Sequence, residues 1–269
     1  MRITPILHAK LLFFVAFLLT GRQSTAQISG PGPRVEVDHV HLGSTIVDLL
    51  SHQGVEGRLR FVNLHDNENT SVEAAVPILW ETGGEMLEIR HTGRRNVKFV
   101  LGGKTYEFDP NRIFSAAGVM NTLVKNGGTS SAAEKIVFDF GRHILGEIKA
   151  DSLHPVVALH NNTEAEYSIL TYQPGADYAA DAASVHVVPE RDPDDFFFVT
   201  YRPHFELLSA GGFNVVLQNN TEVTDDGSLS VYCGMHGIPY VNVEAQQGHL
   251  REQRQMLAFL VKVLNADDP

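Results

Sequence analysis

Short apolar runs alternate with long stretches of helical periodicity along this chain, and that alternation restricts the fold more than any other feature. Arg58–Leu64 (RLRFVNL), Pro155–Leu159 (PVVAL), Asn214–Gln218 (NVVLQ) and Tyr240–Val243 (YVNV) read as buried strands. Ser130–Ala150 sets Ile136, Val137, Phe140, Ile144 and Ile148 on one helical face, and Leu250–Ala266 does the same with Leu250, Leu257, Leu260, Val261 and Leu264. Thr70–Glu81 reads as a third helix, capped by Asn69 or Thr70 and stopped by Gly83-Gly84. Val97–Leu101 and Thr105–Phe108 flank Gly102-Gly103-Lys104, a hairpin signal. Strands separated by helices predict an α/β fold, a three-layer sandwich around a mixed, largely parallel central sheet.

The ends of the chain bound where such a domain works. Residues 1–26 carry Arg2 and Lys10, the apolar run Leu11–Leu19, and small residues at Ser24-Thr25-Ala26. That pattern reads as a secretory signal peptide, too short and wrongly flanked for a membrane span, and predicts a secreted or periplasmic protein. Residues 27–34 (QISGPGPR) read as a linker, and 35–269 as one domain large enough to bury a core. Without residues 1–26 the chain keeps 18 basic against 32 acidic side chains, a charge of −14. Such a surface repels phosphate backbones and anionic lipids, which argues against nucleic-acid and membrane partners. Cys233 is the single cysteine, so no internal disulfide staples the fold. The sequence leaves the oligomeric state open.

In open α/β sheets ligands bind beyond the carboxyl ends of the strands. Four segments deliver ionisable groups to such positions: His65 and Glu68 after one strand, His160 after another, Glu244 at the end of a third, and Asp109–Arg112 after the hairpin. Each has a bland reading. H-x-x-E recurs by chance at His249 and Glu252, which read as a solvated helix end, and His65/Glu68 alone would be a surface turn. Glu244 fits equally a helix N-terminal acid ahead of Leu250. Asp109 and Asn111 fit a turn around Pro110, with Arg112 paired to one of the many acids. Together, however, they form a chemical set. A hydrolytic zinc takes two imidazoles and a carboxylate and leaves a fourth position for water; His65, Glu68 and His160 supply them. A second carboxylate must move that water's proton to the leaving amine, and Glu244 is the candidate. Arg112 beside Asn111 offers a planar fork for a substrate carboxylate.

In order along the chain, His65-Asp66-Asn67-Glu68, Asp109-Pro110-Asn111-Arg112-Ile113-Phe114, His160-Asn161-Asn162-Thr163 and Val243-Glu244-Ala245-Gln246 resemble the motifs of the aspartoacylase and succinylglutamate desuccinylase family, within the M14-type zinc carboxypeptidases. The resemblance implies a zinc carboxypeptidase-like fold and one zinc ion on His65, Glu68 and His160. It makes Glu244 the general base, and Asn111 with Arg112 the holders of a substrate carboxylate. It also implies a basic residue that stabilises the oxyanion, for which Lys104, Arg94 and Arg95 are the candidates. Three features depart from the pattern. The family's glycine after the first ligand is Asp66 here, an extra acid beside the metal. No second, β-rich domain follows the last helix, and the chain carries an export signal.

The implied function is a secreted zinc-dependent amide hydrolase, of carboxypeptidase, amidase or N-acyl amino acid deacylase type. Its substrate would be a small molecule or peptide with a free carboxylate, a cell-wall peptide among the candidates. The alternative is a non-catalytic peptide- or carboxylate-binding protein on the same fold. A serine hydrolase lacks its G-x-S-x-G. Asp192–Asp195 reads as a turn plus helix N-cap and Asp225–Ser228 as a tight turn, or each as a seat for a substrate ammonium. Phe196–Phe198 fill core, and His186, His204 and His236 show no partner pattern.

Overall fold

The computed structural model describes residues 34–55, 57–150, 154–164 and 167–266. The signal-like residues 1–26 and all of the linker except Arg34 lie outside the described residues; Arg34 already belongs to the first strand. Among the described residues, nine strands form one mixed sheet in the order β1-β2-β4-β3-β7-β11-β9-β10-β8. These are β1 (Arg34–Leu42), β2 (Thr45–Gln53), β3 (Arg60–Asn63), β4 (Glu85–Arg90), β7 (Val156–Asn162), β8 (Ala182–His186), β9 (Phe196–Val199), β10 (Val215–Gln218) and β11 (Tyr240–Gln246). The hairpin β5 (Val97–Leu101) and β6 (Lys104–Phe108) stands apart as a two-stranded sheet. Neighbours β4, β3, β7 and β11 all run parallel, so their carboxyl ends share one edge.

Helices cover both faces, as the patterning predicts. On one side α1 (Asn69–Thr82), α4 (Arg202–Ala210) and α6 (Leu250–Ala266) pack on Phe61, Leu159, Val241 and Val243. On the other, α2 (Ala116–Lys125), α3 (Ser131–Glu147), α5 (Leu229–Met235) and the hairpin cover Val62, Leu64, Ala158 and Tyr240. Alternation along the strands does the sorting: in β7 Val157 and Leu159 face α1 and α6, while Val156 and Ala158 face α3. His160 and Glu244 continue the second set, so both point to the side of the sheet that carries the hairpin.

Two local expectations change. Asp192–Asp195 leads into β9 and not into a helix; Asp192 accepts from Asp194 N–H in a tight turn, and Phe196–Val199 are buried on both faces, as a central strand requires. Neither Asn69 nor Thr70 caps α1. Glu68 occupies the N-cap without a side-chain bond of its own to the helix, and Asn161 from β7 supplies the acceptor, 2.9 Å from Ser71 N.

Candidate metal centre

His65 and Glu68 lie in the turn between β3 and α1, and His160 lies in β7, the neighbour of β3. All three are buried, and one ligand atom from each falls within 4.8 Å of the others. The His65 and His160 Nδ1 atoms are 3.1 Å apart. Each imidazole takes one oxygen of Glu68, at 2.9 Å for His65 and 2.8 Å for His160. Two zinc–nitrogen bonds of roughly 2.0–2.1 Å at a tetrahedral angle hold their nitrogens about 3.3 Å apart, so the pair has the spacing zinc needs. Asp109 fixes the His65 ring from behind, with Oδ1 2.9 Å from Nε2. Nε2 then carries the proton and Nδ1 keeps its lone pair for a metal. The residues fit the ion.

Electrostatics in the metal-free protein bind the cluster to itself. Burial disfavours the His65 imidazolium, but the Glu68 and Asp109 carboxylates outweigh it and raise the group to about 9. Burial likewise opposes the charge on Glu68 and Asp109. The imidazoles beside Glu68, and His65 with Arg95 beside Asp109, nonetheless hold both well below the usual carboxylate range. Burial lowers His160, helped by His65 and Arg95 and opposed by Glu68. Glu244 moves the other way: burial first and the Glu68 charge second push it up to about 8.

These directions set a pH dependence. The stability that His65 contributes is complete below its unfolded value of 6.5 and is lost as pH rises through about 9. Glu244 is held protonated by the fold, so raising pH from 4.5 through about 8 weakens the folded state further. His160, lowered by burial, gains stability as pH rises to 6.5 and offsets Glu244 up to there, so the metal-free protein should lose stability between about pH 6.5 and about pH 9. Zinc needs deprotonated ligands, so its stabilisation should grow over the same range and its binding should release protons. Thermal melts with and without zinc across this range check both. A zinc-induced rise in Tm that shrinks with pH contradicts the assignment.

Glu244 sits in β11 in register with His160, one strand away, and is 5 % exposed. It lies inside the strand and is not the N-terminal acid of α6. Asn242, two residues back on the same face, donates to Glu244 Oε2 at 3.0 Å. Arg112 and Asn111 follow the hairpin in a short 3-10 turn. The Arg112 guanidinium is partly exposed, 3.4 Å from Asp226, and its Nη1 donates to the Asn111 carbonyl. Asn111 Oδ1 accepts from Leu229 N at 3.0 Å, which ties it to the start of α5. Gly227, at φ +78, lets the acidic turn lie against this segment; a Cβ there would meet the Arg112 carbonyl at 2.6 Å. Asp225 and Asp226 make a tight turn, Asp225 accepting from Gly227 N and Asp226 from Ser228 N.

The hairpin separates the basic candidates. Val97 pairs with Phe108 at its open end and Leu101 with Lys104 at its tip. Arg95 and Asp109 flank the open end and meet at the site: Arg95 Nη1 is 2.6 Å from Glu68 Oε1 and Nη2 is 3.5 Å from Asp109 Oδ2. Lys104 lies at the tip over the Tyr106 ring, roughly 15 Å along the strands at about 3.4 Å per residue. Arg94 is exposed. Asp66 does not face the imidazoles; it accepts the backbone N–H groups of His91 and Gly93. His249 is not simply solvated, since it pairs with Asp195 at 3.1 Å, whereas Glu252 faces solvent with Arg251. Asp109, Asn242, the half-buried Tyr167 and the buried Tyr172 carry no distinct signal in the sequence. The two tyrosine hydroxyls bond to each other near Glu244, and burial raises both phenols.

No family model matches the chain, and no curated protein matches it. Solved structures do. An aspartoacylase family protein from Mesorhizobium loti is 16 % identical with a TM-score of 0.44, over 90 % of this chain and 69 % of that one. Thrombin activatable fibrinolysis inhibitor is 12 % identical with a TM-score of 0.42, over 86 % and 71 %. At this similarity neither transfers residues or chemistry to the present chain.

Proposed function

We propose that this chain is a secreted zinc-dependent amide hydrolase of the carboxypeptidase or N-acyl amino acid deacylase type. The observation that carries the reading is the convergence of two imidazole Nδ1 atoms and a carboxylate in a buried cluster, with a second buried carboxyl, Glu244, one strand away. Bound zinc would supply Lewis-acid polarisation of the scissile carbonyl and activation of water at neutral pH. His65, Glu68 and His160 hold the ion, and Asp109 keeps His65 in the ligating tautomer. Glu244 is the proton carrier: buried and in register with His160 on the neighbouring strand, it is placed to accept a proton from water and return it to the leaving nitrogen. Arg95, the one basic candidate at the centre, is the donor for the developing oxyanion.

Arg112, backed by Asn111, anchors the substrate carboxylate. Its Nε lies 3.4 Å from Asp226 and its Nη1 donates to the Asn111 carbonyl, which leaves Nη2 for a better acceptor. In a cell envelope the substrate class that meets these demands is a cell-wall peptide with a free carboxylate. The test is a substrate pair, an N-acyl amino acid and its C-terminal amide, assayed with zinc-loaded protein. The free acid should be preferred by about 100-fold in kcat/KM, and Arg112→Ala should erase that preference. Carboxylate binding without turnover of either compound would instead identify a binding protein on this fold.

A further inference from the structure

Asp66 follows the ligand His65, is 6 % exposed, and takes no part in the metal-binding set. Its Oδ2 accepts two backbone N–H groups, from His91 at 2.7 Å and from Gly93 at 2.6 Å. Its Oδ1 lies 3.5 Å from the Arg90 Nε. Charge-assisted bonds of this length to backbone hold a loop firmly, because a carboxylate is about twice as strong an acceptor as a neutral group. The loop in question joins β4 to β5 and turns at Gly93, whose φ of +68 places it in the left-handed region. Two residues after that turn comes Arg95, which reaches Glu68 and Asp109. Asp66 thus ties the turn that bears His65 and Glu68 to the loop that bears Arg95.

We propose that Asp66 is the positioning residue of Arg95: it staples the His91–Gly93 turn to the metal-ligand loop and so fixes the guanidinium over the centre. It acts through Arg95 and touches neither metal nor substrate. Its effect on turnover rests on the hydrolase reading above; its effect on the loop does not.

The experiment is a double-mutant cycle with Asp66→Ala, Arg95→Ala and the pair, with Asp66→Asn as the conservative control. In zinc-free protein, amide exchange at His91 and Gly93 should accelerate at least about tenfold in Asp66→Ala. It should rise far less in Asp66→Asn, whose Oδ1 can still accept both bonds, though as a neutral group. In denaturant unfolding, the change in the unfolding equilibrium caused by Arg95→Ala should shrink to less than about half once Asp66 is removed. In zinc-loaded enzyme the kcat loss from Arg95→Ala should shrink likewise, while Asp66→Asn retains kcat and KM. Should Asp66→Ala not fold, Asp66→Ser, polar but too short to reach either amide, takes its place. Unchanged exchange at both amides, or independent effects of the two substitutions on unfolding, overturns the proposal. Inactive wild-type protein would sink the hydrolase reading alone, since exchange and unfolding still decide the staple.

Discussion

His160→Ala should abolish zinc binding while leaving the chain folded. Two ligands remain after this change, and zinc sites in proteins need at least three, so bound zinc should fall from one ion per chain to less than about a tenth of that. The fold should persist because Glu68 does not lose all its partners. Arg95 still donates to Oε1 at 2.6 Å, and the Asn161 backbone N–H to Oε2 at 3.1 Å. His160 also has a buried Nε2 without a protein partner, so its removal leaves no donor or acceptor stranded on that side. Metal analysis and circular dichroism read the two outcomes. A folded His160→Ala protein with full zinc content would place the metal elsewhere.

Glu244→Gln should do the reverse: keep zinc and lose turnover by roughly 100- to 10,000-fold, the usual scale for removing a positioned acid–base group. Glutamine preserves the shape, and Asn242 can still donate to its carbonyl. The same substitution should stabilise the zinc-free protein increasingly from pH 4.5 to about 8, because over that range the unfolded chain ionises the carboxyl that the fold keeps protonated. A catalytic acid that weakens its own fold is what an active site produces. If Glu244 were merely a buried acid, the stabilisation would appear with turnover unchanged. Kinetics, and thermal melts of the zinc-free protein at about pH 5 and about pH 8, separate the two cases.

What the sequence revealed follows the range of the interaction. The long helices and the strands β3, β7, β10 and β11 show their periodicity within a dozen residues, and so do the four site segments at strand ends. β4 (EMLEIR) hides because Glu88 is buried, bonded to His52 at 2.7 Å and to Arg90 at 2.8 Å, which breaks the apolar pattern. The edge pair β1 and β2 did carry alternation, in Val35 and Val37 and in Val47 and Leu49, but its outer strand is mostly exposed and charged. Asn161 serving as acceptor for α1 from another strand could not be read locally, because Ser71 is 90 residues away. Asp109 illustrates both sides. Its turn bond to Asn111 N, two residues on, was legible; its grip on His65, 44 residues back, was not. Spacing could not choose among Lys104, Arg94 and Arg95; the hairpin register sets Lys104 apart, and the ion pairs with Glu68 and Asp109 single out Arg95.

Asp66 marks the same boundary. Beside a ligand in sequence, it looked like a further acid at the metal, yet the chain turns it toward the backbone of a loop more than 20 residues on. Neighbours in a tight turn point to different sides, so adjacency to His65 does not bring adjacency to the ion.

The proposed zinc site is His65, Glu68 and His160. Anomalous X-ray diffraction at the zinc edge, on crystals of zinc-loaded protein, tests it directly. A single strong peak should appear, bounded by the two Nδ1 atoms and the Glu68 carboxylate. A well-ordered fold with no peak there, or with the peak on other residues, would contradict it.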